Sequence, residues 1–303
     1  MAELRFDDRV AIVTGAARGI GRSYARLLAA RGARVVVADH GGGPTGSGNS
    51  SEPAAEVVRE ITEAGGRAVA CCASVSEESS AAQIVAAAVE SFGRLDIVVN
   101  NAGIHDPQLF TDLTIGQFHR MLDVHYLGTL FVIRSAWPHL VRGGYGRVVN
   151  TVSEAMLGGV AELTSYGAAK GAVFGLTRNL ATEGHPLGIR VNAIAPRAYT
   201  RLSAEHTEKM AAERSIPKEM MAKINASMNP DLVAPAAAFL AHESCPLNGE
   251  LLQAGLGGVA RIAVLCSQGI SKRDLTPEDI ADNLDTIMNM ADGEIRNAVD
   301  QSG

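Results

Sequence analysis

Short β-branched and apolar runs recur along the chain, each ending near glycine, aspartate, asparagine or serine: RVAIVTG, RVVVAD, RAVACC, LDIVVNNAG, GRVVNTVS, IRVNAIAP and ELLQAG. Between them lie stretches with apolar residues at helical spacing, from Arg22 to Arg31, Ala54 to Ala64, Glu77 to Phe92, Ile115 to Leu140 and Ser165 to Glu183. The short runs are apolar throughout, as in strands buried on both faces. Such strands alternating with helices predict an α/β fold, a single doubly wound parallel sheet with helices on both faces. Ligands of these sheets bind outside the carboxyl ends of the strands, so chemistry is expected in the residues that follow each strand.

Three segments break the pattern. Asp39 to Pro53, DHGGGPTGSGNSSEP, is rich in Gly, Ser and Pro and predicts a long surface loop after the second strand. A linker between domains would share that composition, but two strands alone could not form a domain and the alternation resumes at once. From Thr200 to about Met228 the periodicity is weak, with scattered charges and the methionines Met210, Met220, Met221 and Met228. Lying after the sixth strand, this segment reads either as a surface helix pair or as a methionine-containing cover for an apolar substrate. Near the carboxyl end, Thr276, Pro277, Glu278 and Asp279 supply an N-cap, a first-turn proline and two acidic residues before Ile280, Leu284, Ile287 and Met288. That predicts one amphipathic helix of three or four turns. With the sheet complete by about Ala260, the chain divides into a catalytic domain over residues 1–265 and a C-terminal helical extension over residues 266–303.

Composition narrows the function. Hydrophobic residues make up 47% of the 303 and charged ones 20%, which excludes a disordered chain. A net charge of −6 gives no general attraction to nucleic acid or anionic membrane, so an anionic ligand must be held by local groups. No stretch approaches the roughly 18 to 20 apolar residues needed to span a bilayer. The start MAELRFDDRV lacks the plan of a signal peptide, and a cytoplasmic protein is expected. Cys71, Cys72, Cys245 and Cys266 form no C-x-x-C pair and have no histidine nearby at ligand spacing; buried free thiols and no metal are expected.

The first strand runs into Thr14-Gly15-Ala16-Ala17-Arg18-Gly19-Ile20-Gly21 and then a helix. Glycines there let the backbone turn tightly and approach a pyrophosphate, whose charge meets the amides of the helix start. Asp39 closes the second strand, where a carboxylate accepts hydrogen bonds from the adenosine ribose and repels a 2′-phosphate, favouring NAD over NADP. Arg18 works the other way. Tyr166 and Lys170 are four apart on a predicted helix and share one face. A phenol near pKa 10 is a poor base at neutral pH, but a neighbouring ammonium favours its ionised form. Ser153, at the carboxyl end of the fifth strand, can hydrogen-bond the same substrate oxygen. His125 falls on the apolar stripe Phe118, Leu122, His125, Thr129, Val132.

The string TGAARGIG resembles the cofactor motif of short-chain dehydrogenases/reductases, and Asn100-Asn101-Ala102-Gly103, Ser153 and Tyr166-x-x-x-Lys170 follow in that family's order. The resemblance implies a Rossmann-type sheet, with Ser153, Tyr166, Lys170 and His125 as the catalytic set. His125 stands where the family usually has an asparagine that supports the lysine through water. It further implies cofactor contacts from Gly15, Arg18, Gly19, Ile20, Gly21, Asp39, Asn101, Ala102, Gly103, Tyr166, Lys170, Pro196 and Thr200. Ala73 replaces a common aspartate, leaving Ser74 and Val75 to line the adenine edge.

DVHYLGTLFVIRSAWPHL, AHESC and GARVVVAD with its glycine-rich loop are more narrowly similar to the (3R)-hydroxyacyl-CoA dehydrogenase domains of peroxisomal multifunctional enzymes type 2 and their bacterial relatives. This implies NAD-dependent oxidation of a (3R)-hydroxyacyl-CoA or a hydroxysteroid by a homodimer or homotetramer. Arg197 departs from the proline-glycine of many relatives, as a local anchor for an acyl-CoA phosphate or a change in substrate fit. The rival readings are an NADPH-dependent 3-oxoacyl-thioester or cyclic ketone reductase and a non-catalytic dinucleotide-sensing module.

Overall fold

Strand β1 (Val10–Thr14) shows how the layers are made. All five residues are buried, and successive side chains point to opposite faces. Val10 and Ile12 join one core with Val36, Val98, Val148 and Val191. Ala11 and Val13 join the other with Val35, Val37, Val99 and Val149. The computed structural model describes residues 3–213 and 215–299. In it β1 lies between β2 (Arg34–Ala38) and β4 (Ile97–Asn100). The parallel part of the sheet runs in the order β3 (Arg67–Cys71), β2, β1, β4, β5 (Gly146–Thr151), β6 (Ile189–Arg197), β7 (Leu251–Gly255).

Helices α1 (Gly19–Ala30), α2 (Glu52–Glu63) and α9 (Ala234–Ala241) cover one face through Tyr24, Leu28, Val57, Ile61 and Leu240. Helices α3 (Glu78–Phe92), α5 (Gly128–Gly143) and α6 (Thr164–Gly184) cover the other through Ile84, Val132, Leu140 and Ala181. Strand order reverses between β1 and β4, which opens a crevice at their carboxyl ends.

The expected helix from Ile115 to Leu140 is interrupted. Helix α4 (Ile115–Leu122) passes through a π-helical turn, Asp123–Leu127, before α5 begins. The wider turn carries His125 and leaves it 1% exposed. Such π-bulges concentrate at functional sites.

The sheet has an eighth strand that the sequence pattern does not reveal. β8 (Gly258–Ile262) pairs antiparallel with β7 through a two-residue turn in which Leu256 (φ 55°) and Gly257 (φ 76°) are both left-handed. That turn normally carries Asn-Gly, and leucine conceals it. The segment after Thr200 forms a helix pair, α7 (Ala204–Glu213) and α8 (Lys218–Ser227), with Met220 exposed. The Met210 side chain and residues 300–303 lie outside the described residues.

The carboxyl-terminal segment is not one long helix. A capping box between Thr276 and Asp279 starts α10 (Pro277–Asp282), and the chain breaks at Asn283 before α11 (Leu284–Met288). Ile280, Leu284 and Met288 stay exposed. Strands β9 (Leu265–Cys266) and β10 (Glu294–Ile295) close this segment, which is tied to α6 where Thr182 donates to the Ala298 carbonyl at 2.8 Å. The thiol expectation also needs correction: Cys245 is buried, but Cys71 at the end of the edge strand β3 is half-buried, and Cys72 just after it and Cys266 on the two-stranded β9–β10 sheet are exposed.

Candidate active site

The turn after β1 is built around two glycines with positive φ, Gly15 (64°) and Gly19 (52°). A Cβ on Gly15 would fall 2.8 Å from Ala102 Cα, and one on Gly21 would fall 2.1 Å from the Gly15 carbonyl oxygen. Only glycine permits that packing. The segment after β4 is stitched to the turn from the other side. Thr14 Oγ1 accepts from the amides of Asn101 and Ala102, each at 3.0 Å, and Asn101 Nδ2 donates to the Thr14 and Gly15 carbonyls, each at 3.1 Å. Asn101 therefore braces the turn as well as lining the crevice.

A cavity of about 400 Å³ lies over this turn. Of the residues expected to contact the cofactor, Gly15, Arg18, Gly19, Ile20, Asp39, Ser74, Val75, Asn101, Ala102, Gly103 and Thr200 line it; Gly21, Tyr166, Lys170 and Pro196 do not. Sequence reasoning missed Gly42, Gly43, Gly46 and Arg201, which also line it. The three glycines belong to the run after Asp39, whose composition predicts no more than a surface loop. Asp39 is held by two backbone amides, Ala17 at 2.9 Å and Gly41 at 2.7 Å, one on each carboxylate oxygen. The arrangement fits a dinucleotide: the amides of Gly19, Ile20 and Gly21 lack intrahelical acceptors, and a carboxylate stands at the end of β2.

Ser153 follows β5, where its hydroxyl accepts from the Ala155 amide at 3.2 Å and caps a short 3₁₀ turn, Glu154–Leu157. Tyr166 and Lys170 project from the first two turns of α6. That helix is fixed by a buried relay of amides: Asn100 Nδ2 donates to Asn150 Oδ1 at 2.9 Å, and Asn150 Nδ2 donates to Thr177 Oγ1 at 3.0 Å. Lys170 Nζ donates to the Thr151 carbonyl at 2.7 Å and lies 5.6 Å from the centre of the Tyr166 ring. Burial lowers the Lys170 pKa to about 7 and raises that of Tyr166, while the hydrogen bond from Ser153 pulls the phenol back down.

His125 packs against Tyr166. Its ring meets the Tyr166 ring edge-on, 5.2 Å between centroids at 87°. Nε2 faces both the Ile104 carbonyl (2.9 Å) and amide (3.2 Å), the tautomer deciding which bond forms, and Nδ1 is buried without a partner among the described residues. Burial, then the Lys170 charge, hold its pKa well below the usual range, so it is neutral at pH 7. Gly103 makes room for it, since a Cβ there would fall 2.5 Å from His125 Cε1.

Arg197 is not the open phosphate anchor that the sequence allowed. It forms a two-pronged ion pair with Glu154, at 2.7 and 2.8 Å, and its charge is already met. Lys209 of α7 pairs with Glu162 at 2.5 Å, and the Gln108 amide donates to the Glu162 carbonyl at 3.0 Å.

Comparison with known proteins places these features in context. The short chain dehydrogenase family model matches residues 9–211. Peroxisomal multifunctional enzyme A of Dictyostelium discoideum is 40% identical over 280 residues, which are 92% of this chain and 60% of that protein. Full-length peroxisomal multifunctional enzyme type 2 from Drosophila melanogaster superposes with a TM-score of 0.76 at 29% identity, over 96% of this chain and 47% of that one. The chain thus spans about half the length of these multifunctional relatives. A 7α-hydroxysteroid dehydrogenase, solved with NADH and 7-oxo glycochenodeoxycholic acid, superposes with a TM-score of 0.71 at 30% identity, over 85% of this chain and 98% of that one.

Proposed function

The chain belongs to the short-chain dehydrogenase/reductase family, oxidoreductases of CH–OH groups that bind a nicotinamide dinucleotide, and on that premise we propose that it transfers a hydride between NAD(H) and a (3R)-hydroxyacyl-CoA or hydroxysteroid. The observation that carries the cofactor choice is Asp39. Its carboxylate is pinned at the end of β2 and faces the crevice, where it accepts from a ribose diol and repels a 2′-phosphate. Bound NAD supplies the hydride acceptor. Tyr166 takes the alcohol proton as general base, Ser153 holds the reacting oxygen, and Lys170 favours the phenolate. In the reverse direction Tyr166 returns the proton to the carbonyl oxygen.

The hydroxyacyl-CoA preference is supported by likeness to the multifunctional enzymes, and the hydroxysteroid by likeness to the 7α-hydroxysteroid dehydrogenase. One observation favours the NADPH-dependent reductase reading: Arg18 lines the same cavity. Turnover with NAD and NADP, each against (3R)-hydroxyacyl-CoAs of rising chain length and several hydroxysteroids, tests the proposal. Preference for NADP on every substrate, or NADH binding without turnover, would sink it. A catalytic domain over 1–265 with an extension over 266–303, a homodimer or homotetramer, and cytoplasmic residence belong to the same proposal. Truncation at residue 265, light scattering and cell fractionation check them in turn.

A further inference from the structure

The glycine-rich segment after β2 is a compact loop whose ends meet. The Ser50 amide donates to the His40 carbonyl at 3.1 Å, that of Gly43 to the Ser47 carbonyl at 2.7 Å, and that of Gly46 to the Gly43 carbonyl at 3.0 Å. Gly41 takes φ 76°, and a Cβ there would lie 2.0 Å from the Ser50 carbonyl oxygen, so glycine is required for closure.

Three ties hold this loop across the crevice. The His105 amide donates to the Pro44 carbonyl at 3.0 Å. Arg201 Nη2, next in the chain to Thr200, donates to the Gly42 carbonyl at 3.1 Å. Gly46 sits so close to Ile104 that a Cβ would fall 3.1 Å from Cγ2. The His105 ring also packs T-shaped against the Tyr166 ring, 5.5 Å between centroids at 83°. Tyr166 is therefore held in T-shaped contacts by two histidines. The His125 ring is bonded to the backbone of Ile104, and the His105 backbone is bonded to the loop.

We propose that the loop from His40 to Ser50 is a strap over the bound dinucleotide and that His105 is a positioning residue through which strap closure sets the Tyr166 ring. The inference rests on the dinucleotide reading above. Displacing the strap shifts the 104–105 backbone and with it both ring contacts on Tyr166. The phenol exchanges a proton only within hydrogen-bond reach of substrate, so cofactor enclosure and catalytic alignment become one event.

The test measures NADH release by stopped-flow fluorescence, together with kcat and substrate KM, in the wild type and four variants. Arg201→Ala and Gly46→Val are expected to release NADH about fivefold faster or more. His105→Ala is expected to lower kcat about tenfold at saturating cofactor with substrate KM within about twofold, and His105→Phe, which keeps a ring edge, to recover most of it. Arg201 is exposed, so its variant carries the strap arm if Gly46→Val does not fold. Wild-type release rates in the strap variants, a wild-type kcat in His105→Ala, or equal impairment by Phe and Ala would overturn the proposal. A wild type that neither binds NADH nor turns over any substrate is a different result, which removes the dinucleotide reading and the strap with it.

Discussion

Lys170 donates its ammonium to the Thr151 carbonyl at 2.7 Å, two residues before Ser153 in the chain. One backbone segment at the end of β5 thus anchors the lysine and presents the serine. The cation is 3% exposed, and its closeness to Tyr166 comes at a cost in folding free energy.

That cost is measurable. With the Lys170 pKa lowered to about 7 in the folded chain against 10.5 when exposed, the unfolded chain binds more protons between those values. Stability therefore rises with pH across that window and is flat below it. Lys170→Met is expected to raise the melting temperature at pH 7, to flatten this pH dependence and to abolish turnover. Calorimetry at several pH values checks it.

Tyr166→Phe removes the proton-exchanging hydroxyl but keeps the ring between His105 and His125. We expect kcat to fall by about 10²- to 10⁴-fold, with NADH affinity little changed. Paired steady-state kinetics and fluorescence titration separate the two effects.

Asp39→Ala strips acceptors from the amides of Ala17 and Gly41 as well as from the ribose. Selectivity for NAD over NADP should drop by about tenfold or more, and stability by about 1.5–3 kcal/mol, the usual range for hydrogen bonds to a charged group. Cofactor kinetics and urea unfolding give the two numbers.

Arg197→Ala breaks an ion pair whose members are 44% and 39% exposed. Exposed pairs contribute about 0–1 kcal/mol, so the melting temperature should barely move. Because Glu154 already meets the Arg197 charge, the KM for an acyl-CoA substrate should stay within about twofold. A large rise in that KM would restore Arg197 as a phosphate anchor.

Leu256→Asn relieves a left-handed leucine in the β7–β8 turn. The substitution is expected to stabilise the protein by about 0.5–1 kcal/mol in urea titrations without altering activity.

Much was legible because it depends on local pattern. Apolar runs alternating with amphipathic helices specify a covered parallel sheet, and β1 to β7 lie where those runs predict. The glycine turn and the Tyr166–Lys170 spacing are equally local, since each sits within one strand-to-helix junction or one face of one helix. The misses have a different character. β8 was hidden by a leucine where turns of that shape favour asparagine, and the helix through His125 is reset by a π turn that 3.6-residue spacing does not encode.

By itself, then, the sequence determined the layered α/β architecture and the glycine turn after the first strand, and it singled out Ser153, Tyr166 and Lys170 as candidate catalytic residues. Backbone propensity and side-chain periodicity act within a few residues and can be read from one stretch at a time. Only the tertiary structure decided what the other groups do. Arg197 is taken up by Glu154, 43 residues away, and the glycine-rich loop is tied down by Arg201, 159 residues away. Those partners are chosen by the packing of the whole chain, because a charge or a carbonyl is satisfied by whatever the fold brings within hydrogen-bond reach.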